Sequence, residues 1–314
     1  MVSFIVAFIL TYTWGVLGIS LGYHRGLSHR SFKLPRWLDY FFIIGGYLVF
    51  EGAPIFWVAS HRLHHRYSDH EGDPHSPRDG LWHSMMGWMS KPVVNITEDQ
   101  YKVICPDLFR DPFYNFLHAG GGGRDGYLCL AVNIVFRLAL LAVFGPWALA
   151  GNVIASALAF LAPVWVNSIC HLPQFGYQTY SNTNDLSRNV WFVALASFGE
   201  GWHNNHHAFP QSARHGLKPT EFDFSYSVLM VFKALGLARD IRLPKDKAST
   251  SLPPEKTLER DGLKASVDDV PATMSPIVPR SATPQTPNMV PTEDAVTVDE
   301  QTTAKEEQAV LSKR

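Results

Sequence analysis

Cysteine is almost missing from this chain: Cys105, Cys129 and Cys170 are the three in 314 residues, and no two of them form a C-x-x-C pair. That excludes a disulfide framework, a thiolate zinc site and a cysteine-held iron–sulfur cluster. Excess charge of either sign is missing too. Lys and Arg total 27 against 28 Asp and Glu, a formal net charge of −1, so nothing points to a nucleic-acid partner. There is no H-P-G-G run to mark a fused haem domain, and no G-x-G-x-x-G fingerprint between a strand and a helix for a flavin or nicotinamide. Electrons, if the protein uses them, come from a separate donor. Apolar runs are missing from one end only. From residue 245 onward Pro, Thr, Ser, Glu and Lys dominate without apolar periodicity, which predicts a disordered polar tail over 245–314. Residues 1–244 form the domain, rich in Phe, Trp, Leu and Val, so the overall 46% hydrophobic content and mean hydropathy of −0.03 average two unlike parts.

Histidine is what the chain has. Clusters stand at His24 and His29 (H-R-G-L-S-H), at His61, His64 and His65 (H-R-L-H-H), and at His203, His206 and His207 (H-N-N-H-H), with His171 between the last two. Neutral imidazole is the commonest ligand for first-row transition metals, and one ion rarely takes more than about six donors, so nine imidazoles suit a two-metal centre. Spacings of i, i+3 and i+4 put each triplet on one helix face, able to grip an ion from one side. Asn167 and His171 also share a face, His171 ligating directly and Asn167 holding a water at the metal. His24 and His29, five apart, do not share an α-helical face and are predicted to span the fraying end of a helix. His70, His75, His83, His118 and His215 have no partner at ligand spacing and read as ordinary core or surface residues. Haem would need two axial histidines rather than nine, and a structural zinc usually takes four ligands, so iron is the expected metal.

Apolar segments run over residues 3–21, 39–59, 127–144 and 147–166, each near the roughly 20 residues a membrane-crossing helix needs. The first two histidine clusters must share a side, which predicts that 39–59, interrupted by Glu51 and Pro54, lies in the interface or dips and returns. Residues 127–144 and 147–166, joined at F-G-P-W, then form an out-and-back hairpin that delivers Asn167 and His171 to that side. The predicted fold is an all-α integral-membrane bundle with a helical cap carrying the metal site. Arg25, Arg30, Lys33, Arg36, Arg62, Arg66, Arg78, Arg188 and Arg214 fall on the histidine side, which places it on the cytosolic or stromal face. Arg137, inside the third segment, needs either a shifted span or a partner.

Five motifs occur in order: H-R-G-L-S-H-R-S-F, W-V-A-S-H-R-L-H-H-R-Y-S-D, G-D-P-H-S-P, N-S-I-C-H and G-E-G-W-H-N-N-H-H-A-F-P-Q-S-A-R-H-G-L. Over about residues 10 to 220 they resemble the membrane fatty-acid desaturases of the acyl-CoA and acyl-lipid type, in particular the delta-9-like group. The resemblance implies a non-haem di-iron centre that uses O2 and two electrons to place a cis double bond in an acyl-CoA or acyl-lipid chain. Carried over residue by residue, it assigns His24, His29, His61, His64, His65, His171, His203, His206 and His207 as ligands, with Asn167 acting through water. Asp69, Asp73 and Glu200 are carboxylates that would orient imidazoles, with helix capping or surface charge as their plain reading. Arg62, Arg66 and Trp57 either contact an acyl headgroup or, for the arginines, serve orientation in the membrane. The implied electron donor is ferredoxin or cytochrome b5 with its reductase. The implied membrane is the endoplasmic reticulum, the plastid or the bacterial inner membrane. A membrane hydroxylase of the same superfamily is the alternative, and a non-enzymatic zinc-binding polytopic protein a weaker one. Two features depart from the family pattern. A further span normally precedes the first cluster, whereas Met1 stands only 23 residues before His24, so the start is either truncated or minimal. Met85-Met86-Gly87-Trp88 also lacks the usual histidine, with His83 displaced.

Overall fold

The computed structural model describes residues 1–90 and 96–244, so the polar tail read from residue 245 lies outside the described residues. Helix α1 (Val2–Leu17) carries no charged residue and continues without a break into a π-helical stretch, Gly18–Ser28. The amide of His29 closes that stretch on the His24 carbonyl at 3.2 Å, an i to i+5 bond. The wider turn brings residues five apart onto one side. His24 and His29 therefore face the same way, with ring centroids 4.9 Å apart; the pair does stand at a helix end, with His29 as its cap, but the last turns are π-helical.

Helix α2 (Arg36–Tyr47) and helix α3 (Pro54–Tyr67) are separated by a break in which Gly52 takes a φ of 78°. Pro54 opens α3 where a missing N–H costs nothing. Neither helix, at 12 and 14 residues, is long enough to cross a bilayer. The two ends of this unit meet. The Arg62 guanidinium on α3 donates to the carbonyls of Leu27 and Ser28, at 3.0 and 3.4 Å, so the chain entering α2 and the end of α3 lie together.

Short helices follow: α4 (Trp88–Ser90), α5 (Glu98–Ile104), opened by a Thr97/Gln100 capping box, and α6 (Pro112–His118), capped by Asp111. His118 accepts a place in this wall by pairing with Glu98 at 3.1 Å. The glycine run after α6 contains the spacing Gly121, Gly123, Gly126, but it follows a helix and no strand leads into it, so it is a loop and not a dinucleotide site.

Helix α7 (Arg124–Ile169) is two arms joined at Gly145, whose φ of 79° and ψ of 178° are open to glycine and followed by Pro146. The Arg137 Nη2 donates to the Ser156 Oγ at 2.9 Å, across 19 residues that would span about 28 Å of straight helix. The arms must therefore run back along each other. Arg137 also donates to the Asn133 Oδ1 and the Leu48 carbonyl and lies 4.6 Å over the Phe50 ring, so the arginine in the apolar segment has partners and the span need not be shifted. Gly151 lets the second arm reach α1: a Cβ there would fall 2.3 Å from the Phe4 carbonyl oxygen.

Helices α8 (Trp191–Ala196), α9 (His203–Ala208) and α10 (Phe224–Ala234) follow. Among the described residues there is no strand, only isolated bridges such as Lys33 with Arg239, and the molecule is all-α. Two helices, Val2–Ser28 and Arg124–Ile169, are long and apolar enough to cross a membrane.

Candidate metal centre

The nine histidines converge, but not cluster by cluster. Donor atoms of His24, His29, His61, His65 and His206 lie within 4.8 Å of one another, and those of His64, His171, His203 and His207 form a second such group. Each triplet is split. On α3, His61 and His65 point to the five-histidine group while His64 points to the other; on α9, His203 and His207 go to the four-histidine group while His206 goes to the five. The idea of one helix gripping one ion is corrected accordingly: i and i+4 align along the helix, and the remaining residue is rotated away from that line.

Nitrogen pairs set the geometry. The Nε2 atoms of His24 and His206 stand 3.0 Å apart, those of His29 and His61 2.8 Å, and those of His65 and His206 2.9 Å. In the second group His171 and His203 are 2.9 Å apart and His203 and His207 3.0 Å. Carboxylates hold the far side of four rings. His24 Nδ1 faces Glu200 at 2.5 Å, His64 Nδ1 faces Asp73 at 3.0 Å, His171 Nδ1 faces Asp69 at 2.7 Å, and His207 Nδ1 faces Asp185 at 2.7 Å. Each carboxylate fixes the N–H on Nδ1 and leaves Nε2 as a bare lone pair. A single N–H on His203 cannot serve both His171 and His207, so facing lone pairs remain there, and these repel unless a cation stands between them. Two nitrogens about 2.1 Å from one ion and at right angles lie about 3 Å apart, which is the spacing found. The buried Nε2 of His64 has no hydrogen-bond partner among the described residues and suits the same purpose. The residues present thus fit two metal ions.

Electrostatics keep the donors ready. Burial, with the neighbouring imidazoles, holds His29, His61, His65, His203 and His206 well below the ordinary histidine range, so these rings are neutral and able to ligate. Burial alone would push the Asp69 carboxyl up; the His171 imidazole and the Leu186 amide bring it down to about 2. Asp73 and Asp185 are likewise lowered despite burial, by His64 and His207 respectively.

A cavity opens on the donors. Val16, Ile19, Trp57, Trp88, Ala162 and Asn167 line it together with His24, His61 and His203. Trp57 is pinned there, its indole N–H donating to Glu51 at 2.7 Å while its ring stacks on His61 at 5.1 Å. Arg62 is engaged elsewhere, paired with Asp107 at 2.9 Å, and the exposed Arg66 lies 5.7 Å over the Tyr67 ring. The two asparagines of H-N-N-H-H hold α9 in place. Asn204 accepts from the Thr179 and Tyr180 amides at 2.7 and 2.8 Å, and Asn205 donates to Glu221 and to the His215 carbonyl.

Three residues of this site escape the sequence reading. Asp185 lies in a polar loop far from any histidine motif, and nothing in its spacing marks it. His75 and His215, read as ordinary residues, are buried in the wall of the centre: His75 stacks on His64 at 4.4 Å, and His215 lies 4.5 Å from His206 with Nδ1 3.2 Å from Glu200. The motifs G-D-P-H-S-P and A-R-H-G-L contained the signal. His70 is exposed and bonds the Ser68 carbonyl, and His83 bonds the Pro74 carbonyl, away from the donors.

A family model described as fatty acid desaturase matches residues 2–221. A chloroplastic palmitoyl-monogalactosyldiacylglycerol delta-7 desaturase of Arabidopsis thaliana is 42% identical over 243 residues, 77% of this chain and 62% of that protein. Delta-9 acyl-lipid desaturase 2 of the same plant is 40% identical, over 76% of this chain and 74% of its own. An acyl-CoA 5-desaturase of Anemone leveillei is 39% identical, over 74% of this chain and 69% of its own. With a match of this extent and relatives of this identity, the chain belongs to the fatty acid desaturase family, a family of oxidoreductase enzymes.

Proposed function

We propose that the protein is an integral-membrane acyl desaturase that places a cis double bond, at the delta-9 position, in an acyl-CoA or acyl-lipid chain. Two iron ions would be held by His24, His29, His61, His65 and His206 and by His64, His171, His203 and His207, with Asn167 acting through a water. The observation that carries the reading is the cavity: apolar walls from α1, α3 and α7 end directly on the imidazoles. Bound iron supplies activation of dioxygen and removal of hydrogen from an unactivated methylene. The chain's own residues do the rest. Val16, Ile19 and Ala162 bind methylenes and exclude water, Trp57 fixes the wall beside His61, and the carboxylates hold the Nδ1–H of His24, His64, His171 and His207 so that Nε2 faces the other donors. The balance is two hydrogens from the chain, one dioxygen, and two electrons with two protons from outside, giving the double bond and two waters. The external donor is ferredoxin or cytochrome b5 with its reductase.

A membrane setting fits the exposed apolar side chains of Ile9, Leu138, Val143 and Phe144 on the two long helices. The arginines around the histidine side orient it to the cytosol or stroma. Relatives named for delta-7, delta-9 and 5-desaturation share nearly the same identity, so the position of the bond rests on the motif resemblance. Lipid analysis after expression in a desaturase-deficient host tests the reading. A new monounsaturated chain with its bond at carbon 9 is expected. A hydroxylated chain, or an unchanged lipid profile with the protein folded in the membrane, overturns it.

A further inference from the structure

The two donor groups are alike in chemistry and unlike in what stands behind them. Behind the four-histidine group lie three carboxylates, Asp73 on His64, Asp69 on His171 and Asp185 on His207. The other hydrogen bonds to these carboxylates come from backbone N–H groups and from serine or threonine hydroxyls, all neutral. Behind the five-histidine group lies Glu200 on His24, and Glu200 is paired at 2.9 Å with the Arg25 guanidinium, which also meets Asp223 at 2.9 Å, so this arginine and its two carboxylates together carry one net negative charge against three behind the other group. A carboxylate that accepts an imidazole N–H makes the opposite nitrogen a stronger donor, and a net negative charge nearby favours a cation further. By number of imidazoles alone the five-histidine group would hold its ion better. By outer charge the order reverses.

We propose that the ion held by His64, His171, His203 and His207 is the more tightly retained of the two, and that Asp185, with Asp69 and Asp73, is the positioning residue set responsible. The proposal rests on the two-metal reading above. Asp185 is its sharpest probe because it belongs to the connection between α7 and α8 rather than to a histidine-bearing helix. Its carboxylate is 5% exposed and cradled by the Thr183 hydroxyl and the Ser187 amide, each at 2.9 Å. Asparagine there keeps the shape and removes the charge.

The test uses the full-length protein in detergent, loaded with cobalt(II) and equilibrated against graded chelator, with cobalt per chain measured by elemental analysis and by visible absorption. The wild-type protein should fall from two ions to one and then to none in separate steps. Asp185→Asn should move the second step by about 10- to 100-fold toward weaker chelation and leave the first in place, the scale on which outer partners of ligands act. Glu200→Gln should move the first step. Asp69→Asn serves if Asp185→Asn does not fold, since asparagine tolerates the φ of 59° at that position. Loss of both ions in one step, or a shift of the first step alone by Asp185→Asn or Asp69→Asn, overturns the proposal. Folded wild-type protein that takes up no cobalt overturns the metal reading itself, a result distinct from a wrong order of retention.

Discussion

His171 belongs to no triplet, and its place in the sequence rests on the i, i+4 relation to Asn167. In the structure its Nε2 stands 2.9 Å from His203 and its Nδ1 is held by Asp69. His171→Ala should lower desaturation by more than about 100-fold, beyond the usual cost of losing an outer partner, while the protein stays folded in the membrane. Activity kept by a folded His171→Ala protein would mean a centre built from eight histidines. His70→Ala, at an exposed ring bonded only to Ser68, should keep most activity in the same assay. Residue identities in the centre were legible because imidazoles at helical spacing are rare without a metal. The division of each triplet between the two donor groups was not, since it depends on where α3 and α9 meet. Asp185 was invisible for the same reason: its only mark is a contact made 22 residues away with His207.

At the scale of elements, the break after α2 is the feature that decides topology. Lys33 precedes α2 and Glu71 follows α3, and both are exposed. Cysteines placed at these two positions in turn should both react with a membrane-impermeant maleimide from the same face. Reaction from opposite faces would show that the α2–α3 unit crosses the bilayer and would separate His29 from His61. The break itself was readable from Glu51 and Pro54, and the hairpin from F-G-P-W, because glycine, proline and a buried carboxylate punctuate a chain locally. The π-helical stretch was not readable. Residues 18–28 mix glycines and serines with His24, Arg25 and a few apolar residues, a composition that names no helix type, and the wider turn is selected by the tertiary contacts of His24 and by the close approach of Gly18 to Gly46, where a Cβ would fall 2.4 Å from the backbone nitrogen. A reading that assumes an α-helical period therefore separates His24 from His29 when the structure unites them.

For the molecule as a whole, the donor inventory makes a stoichiometric demand. Protein purified after growth with adequate iron should carry close to two irons per chain by elemental analysis, one for each donor group. A single metal in an active preparation would remove the two-ion assignment. The whole also sets an order of construction through Arg137. In the proposed bilayer a lone arginine near the middle of an apolar segment costs roughly 2.5–3.5 kcal/mol of insertion free energy. The Leu48 carbonyl and the Phe50 face that receive the guanidinium are synthesised before it, and Ser156 after it. Emerging from the ribosome, the first arm of the hairpin therefore finds a docking surface already waiting in the α2–α3 break, and the second arm seals it. On the proposed topology, the segment that does not cross the membrane serves as the receiving dock for the one that does, and a nascent chain lacking it would present the membrane-insertion machinery with an arginine paired to Asn133 of its own helix but without the Leu48 carbonyl and the Phe50 face.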